Sequence, residues 1–247
     1  MKTSCKQIIL LSLGVTAMLF LSTNSTAQWQ FRDSSIALNS IEFGYTSSLG
    51  AGDLTDRTNW IHGIKISLNR KTSTNFLLSL NTEIELADFN ENFDPLKNLK
   101  SDSGFPIDLN GQLTEININY FGYQVYGELG KFWNTSKPYK GFITSLQAGF
   151  WQHKLTYQFT GDVLPYLNTE SRKGYDRLAN GLLIGQKVGY RRYSPQNLFS
   201  YEFGLHLQEG FTAIRRSYIY DIMQVPPSSR FDMKLGLYAT FIFPIYK

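Results

Sequence analysis

The run FDMKLGLYATFIF, residues 231–243, decides the fold. Read with a period of two, it sets Phe231, Met233, Leu235, Leu237, Ala239, Phe241 and Phe243 on one face and Asp232, Lys234, Gly236, Tyr238, Thr240 and Ile242 on the other. Seven successive apolar positions exceed an ordinary soluble strand of about five to six residues. Twelve steps of about 3.3 Å cover roughly 40 Å, and a tilt of about 40° leaves roughly 30 Å along the axis. That is the thickness of a bilayer's hydrocarbon core. With the aromatic end Phe243-Pro-Ile-Tyr246-Lys247 just beyond it, the run predicts the closing strand of an outer-membrane barrel.

Seven further strands follow from the same alternation, with Gly, Pro, Asn, Asp and Ser clusters as breaks. They are predicted at Ile36–Ser47, Trp60–Asn69, Thr74–Leu86, Leu113–Phe132, Gly141–Phe159, Asn180–Arg192 and Leu198–Phe211. In the fourth, Ile116, Ile118 and Tyr120 share a face and the pattern then changes phase near Phe121-Gly122, which predicts a bulge or bend at Gly122. Short links of about four to eight residues alternate with long ones of about twelve to twenty-six (Ser48–Asn59, Ala87–Gln112, Thr160–Ala179 and Thr212–Arg230). In an outer-membrane barrel the short turns face the periplasm and the long loops face outward, with an even strand number placing both chain ends in the periplasm. The fold class expected is therefore all-β, an eight-stranded antiparallel up-and-down transmembrane barrel. A soluble lipocalin-like barrel and a ten-stranded variant are the alternatives.

The beginning of the chain carries Lys2 and Lys6, an apolar stretch from Ile8 to Leu21, and small residues ending Ser25-Thr26-Ala27. This is the layout of a signal peptide, too short to span, with cleavage expected before Gln28. The only cysteine, Cys5, leaves with it. Residues 28–247 then form one domain with a formal charge of about +2, since 22 basic residues remain against 20 acidic. That balance gives no reason to expect a nucleic-acid partner. The 4 Trp, 15 Tyr and 18 Phe suit the aromatic girdles of a membrane barrel.

With Gln28 at the mature start, the eight strands and the aromatic end, the chain resembles the outer-membrane β-barrel proteins of Bacteroidota-type Gram-negative bacteria. More generally it is similar to small barrels of the OmpX and OmpW type. Residues 149–154 (GFWQHK), 173–181 (KGYDRLANG) and 210–218 (GFTAIRRSY) resemble segments of one group of Bacteroidota barrels. The resemblance implies the architecture and brings no activity with it.

Two polar sets are candidates for function. The first is a rim cluster on the third and fourth long loops: Arg172, Lys173, Tyr175, Asp176 and Arg177, with Arg215, Arg216, Tyr218 and Asp221. Its cations suit phosphates and carboxylates of outer-membrane lipid or lipopolysaccharide, or an envelope protein partner, or ion pairs with Asp176 and Asp221 that stiffen the loops. Tyr175, Tyr218 and Tyr220 add apolar packing. The second is a polar lumen set, Glu83, Glu85, Glu202, His206 and Lys234, joined by Glu42, Lys65 and Asp232. Eight strands leave a lumen that side chains fill, so a wide diffusion pore is not expected.

An enzyme of lipid A modification would want a histidine beside a serine on one strand face, and neither His62, His153 nor His206 has that spacing. His206 reads as a hydrogen-bonded lumen residue and His62, beside Trp60, as an interface residue. No catalytic residue, cofactor or metal site is assigned. Asp88, Glu91, Asp94, Asp102 and Asp108 match no calcium-loop spacing and read as a solvated loop. The functional expectation is a structural or binding role at the cell envelope. An accessory role in a secretion or assembly machine and a lipid A-modifying activity are the alternatives.

Overall fold

Once a strand alternates strictly, its two faces must meet different surroundings, and the eight strands here resolve that by closing on themselves. The structure, a computed structural model, describes residues 37–88, 90, 94–135, 137–159, 164, 167, 170–194, 200–226 and 228–245. The expected signal peptide, Gln28, Ile36, Glu91, Leu198, Phe199 and Tyr246–Lys247 lie outside the described residues. The strands are β1 (Leu38–Gly52), β2 (Trp60–Lys71), β3 (Phe76–Asp88), β4 (Ile116–Asn134), β5 (Lys140–Phe159), β6 (Ala179–Arg192), β7 (Ser200–Ile214) and β8 (Arg230–Ile245). Each pairs antiparallel with the next and β8 pairs with β1, giving a closed up-and-down barrel.

The register fixes its shape. Stepping across the partners from Ile41 through Leu68, Leu80, Gly127, Ala148, Ile184, Glu209 and Met233 returns to Ala51, ten residues further along β1. A shear of ten over eight strands demands a tilt of roughly 40° and leaves an interior only wide enough for side chains.

The apolar faces point outward. Ile64 and Leu146 are each 66% exposed and Leu237 63%, and the band continues around the barrel through Leu80, Leu182, Leu205 and Phe241. Toward the end with the tight turns it meets Phe76, Trp133, Phe142, Tyr190 and Phe243; toward the loop end it meets Trp60, Phe121, Phe211 and Phe231. A continuous band of this kind far exceeds the few hundred Å² that soluble monomers expose. Ser, Thr, Asn, Gln, Glu and Lys side chains such as Ser67, Asn81, Glu83 and Lys234 fill the inside. This is the inverse of the soluble-barrel arrangement.

Two expectations need correction. No bulge occurs at Gly122: the pairings of β4 with β3 and with β5 run without a break from one end to the other. Ile116, Ile118 and Tyr120 lie on the inward face, where Ile116 and Ile118 pack with Leu96, Leu164, Leu167 and Tyr175 of the loops. The apparent change of phase marks the height at which the lumen passes from polar contents to an apolar cap. Gly122 serves a different need, since a Cβ there would stand 2.2 Å from a Glu85 carboxylate oxygen. The first long link is also shorter than expected, seven residues between Gly52 and Trp60, because β1 continues through Gly50 and Gly52 on the ladder that β8 supplies. It is then no longer than the interval from Tyr193 to Phe199, so the alternation of short and long holds for the other links only.

From the turn end upward the lumen is layered. Leu38, Leu77, Phe132, Ile143, Tyr193 and Ile242 form an apolar plug. Buried ions follow, then Tyr120, Tyr126 and Trp151, and finally the cap under the loops.

Candidate functional site

Below the upper lumen, the ions form two groups. Nearer the turns, Arg191 holds Glu42 through two parallel contacts of 3.0 and 3.1 Å, pairs with Glu202, and donates to the Tyr193 hydroxyl at 3.0 Å. Lys187 reaches Glu128 at 2.5 Å and Glu202 at 2.9 Å. Lys65 lies in the field of the same three carboxylates and 5.5 Å from the Tyr238 ring. Higher up, Lys234 bridges Glu83, at 3.1 Å, and Glu85. Thr46 and Tyr126 also donate to Glu83, while Tyr120, Gln124 and Trp151 donate to Glu85. These carboxylates are buried to within 3% of complete. Buried ions of this kind tolerate desolvation only when opposite charges and hydrogen bonds surround them.

Thus Glu83, Glu85, Glu202 and Lys234 all stand in the lumen as expected from the alternation. His206 does too, and its Nε2 lies 2.8 Å from Ser48 Oγ. Sequence spacing missed that pair because the two residues come from β1 and β7, with β8 between them. Both are buried, at 1% and 4% exposure, so the contact joins two walls of the lumen rather than facing a substrate channel. His62 lies on the outer wall with its Nδ1 2.6 Å from the Tyr45 hydroxyl.

At the loop end the rim residues are brought together. Asp176 accepts from Arg216 Nε at 2.8 Å and again from its Nη2, a two-pronged contact between the third and fourth long loops. That contact holds the Arg216 guanidinium above its ordinary range. Arg177 pairs with Asp221, whose carbonyl accepts from Asn98 of the second long loop. Tyr175 and Tyr220 meet edge to face at 5.5 Å, and burial pushes the Tyr175 hydroxyl up. Arg172 donates to the Leu167 carbonyl, Lys173 pairs with Glu170, and Arg215 donates to Asn180. Tyr218 is exposed. The acidic residues of the second long loop act locally: Asp94 pairs with Lys100, and Asp108 accepts the amides of Asn110 and Gln112.

A third set stands in the upper lumen, where sequence reasoning named Asp232 but not the partners it gathers. Arg57, in the link after the 3₁₀ turn Asp53–Asp56, is completely buried and donates through Nη1 to His153 Nδ1 at 2.8 Å. His153 Nε2 stands 3.1 Å from Asp232, which also accepts from Thr212 and, at 2.9 Å, from Arg230. Burial and the two arginines Arg230 and Arg177 push the Arg57 guanidinium down to about 9, still charged at neutral pH. The outward alternation of β5 does place His153 inside, but a lone arginine in a loop carries no signal that it folds inward.

Polar side chains also stand on the outer wall, among them Thr82, Thr144, Gln186 and Glu209. Gln186 of β6 faces outward six residues from Arg192, roughly 15 Å up the tilted strand and near the middle of the band. Glu209 of β7 is outward one position below Phe211.

No protein-family model matches the chain, and no curated protein matches it. Among solved structures it is similar to Neisserial surface protein A, with 8% identity, 84% of this chain and 99% of that chain covered, and a TM-score of 0.45. It is similar also to Ail, the attachment invasion locus protein of Yersinia pestis, solved with the heparin analogue sucrose octasulfate, at 12% identity, 84% and 99% coverage and a TM-score of 0.41. The outer membrane protein OprG of Pseudomonas aeruginosa matches at 7% identity, 85% and 96% coverage and a TM-score of 0.37.

Proposed function

We propose that this chain is a bacterial outer-membrane barrel with a structural or binding role at the envelope, exported by a cleaved signal peptide. Its tight turns then face the periplasm and its long loops the outside. The observation that carries the reading is the continuous apolar band around a lumen of paired ions. Only a barrel in lipid has reason to build both at once, since the band needs hydrocarbon and the closed ladder leaves no backbone group unsatisfied there. The filled lumen argues against a wide diffusion pore, and the burial of Ser48 and His206 against lipid A chemistry at that pair. The rim, braced by Arg216–Asp176 and Arg177–Asp221, presents Lys173, Arg215 and Tyr218 to bind lipopolysaccharide phosphates.

An accessory role in an envelope assembly is the second reading. Gln186 and Glu209 favour it, because an amide and a carboxylate facing hydrocarbon are costly unless something pairs with them.

Both readings are tested by purifying the tagged protein from native outer membranes in mild detergent and comparing gel mobility with and without heating. Faster migration before heating and co-purified lipopolysaccharide that falls away in Lys173→Gln/Arg215→Gln support the first. Stoichiometric envelope proteins lost on Gln186→Leu support the second. Recovery in the soluble fraction would overturn the membrane assignment.

A further inference from the structure

Among the described residues, the upper lumen holds more positive charge than it neutralises, and the donors left over have a particular shape. Arginine can only donate, so the Arg57 Nη1 contact makes His153 Nδ1 an acceptor. The ring's proton therefore sits on Nε2 and is given to Asp232, leaving His153 neutral. Arg230 uses the same carboxylate directly, through Nη2, and also donates to the Asp53 carbonyl. One carboxylate thus serves two buried guanidiniums. Arg177 does not alter this, since it is matched by Asp221. Glu85 of the layer below is taken up by Lys234, Tyr120, Gln124 and Trp151; the Tyr120 ring stacks on His153 at 5.5 Å and the Trp151 ring lies tilted against it at 5.4 Å.

Among the described residues, Arg57 Nε and Nη2 and Arg230 Nε have no hydrogen-bond partner, although all three are buried. Nε and Nη2 are one edge of the guanidinium, the fork whose two parallel N–H groups match two oxygens of a carboxylate or phosphate. A buried polar group without a partner is rare in folded proteins, and a whole unpartnered fork beside a second arginine is rarer. We propose that Arg57 and Arg230 form an oxyanion-binding site in the upper lumen, which takes a phosphate group on the Nε/Nη2 edge of Arg57. Its charge offsets the surplus, and the site lies in the loop half of the lumen, with Arg57 in the link between β1 and β2 and Arg230 at the start of β8. The proposal does not depend on which partner, if any, covers the outer wall.

The source of the phosphate is either the free ion or a lipid headgroup, and the test separates them. The protein, refolded in phosphate-free zwitterionic detergent, is titrated with inorganic phosphate by calorimetry, with the Arg57 side-chain Nε–H followed by nitrogen NMR. The same titration is repeated with lipopolysaccharide in mixed micelles. The expected result is one site per barrel, a shift of the Arg57 Nε–H resonance, and at least about tenfold weaker binding in Arg57→Lys, which keeps the charge but loses the fork. Arg70→Gln, on the outer face, serves as the control and leaves binding unchanged. A response to lipopolysaccharide alone, abolished in Arg57→Lys, assigns the headgroup as the source. Absence of binding and of any resonance shift with both ligands in the folded wild-type protein would overturn the proposal, and so would equal binding by Arg57→Lys. The NMR readout on the wild type decides the matter even where a variant does not fold.

Discussion

The lower and upper lumen handle buried charge in opposite ways. Below, the cations Lys65, Lys187 and Arg191 meet the carboxylates Glu42, Glu128 and Glu202, and Arg191 directs both prongs at Glu42. Above, Arg230 meets Asp232 directly and Arg57 reaches it through His153, and the Nε/Nη2 edge of Arg57 has no hydrogen-bond partner among the described residues. Both regions are equally buried, so desolvation alone cannot account for the contrast. A matched set gains most from being complete and is a brace; a set with a surplus gains from something added and is a receptor.

The largest effect is expected from Arg191→Met, which strands Glu42 without its partner and should cost about 3–5 kcal/mol in denaturant unfolding of the micelle-bound barrel. A cost below 1 kcal/mol would mean that the lower set is not a brace. Gly122→Ala should cost about 1–3 kcal/mol by pressing on Glu85, and adding Glu85→Gln should change that cost, as a double-mutant cycle would reveal. At the rim, Arg216→Gln should lower stability by about 0.5–1 kcal/mol, because its ion pair is partly in water. Arg57→Met should have the smallest effect in phosphate-free buffer, within about 1 kcal/mol, since it removes a surplus cation as well as a hydrogen bond. If Arg57→Met proved as damaging as Arg191→Met, the two halves of the lumen would be alike.

How far these features could be read from the chain follows from their range. Every strand was visible because a face that meets hydrocarbon and a face that meets ions alternate within a few residues, as Phe231 to Phe243 illustrates. Reading failed where a face changes partner along one strand: Ile116, Ile118 and Tyr120 look like a lipid face but cover the inside of the loops. The lumen's polar residues were legible as a list, while their pairing was not. Ser48 meets His206 and Arg57 meets His153 only through the shear of the closed barrel, which no local spacing encodes. The rim partners Arg216 and Asp176 could be nominated by opposite charge, but their two-pronged contact depends on how two loops pack.

The seam between β1 and β8 has a consequence for how the molecule comes into being. Asn39 to Gly52 lie against Ile245 to Asp232, so the first and last strands of the barrel complete each other. Until the last is made, both edges of the sheet remain open, and neither can rest in hydrocarbon with its amides and carbonyls bare. Stable insertion therefore has to await the end of synthesis, and the chain must be kept from pairing with its neighbours in the interval. With its decisive contacts this far apart in sequence, the barrel is a slow folder by topology. Its biogenesis depends on the time during which an unclosed sheet can be protected.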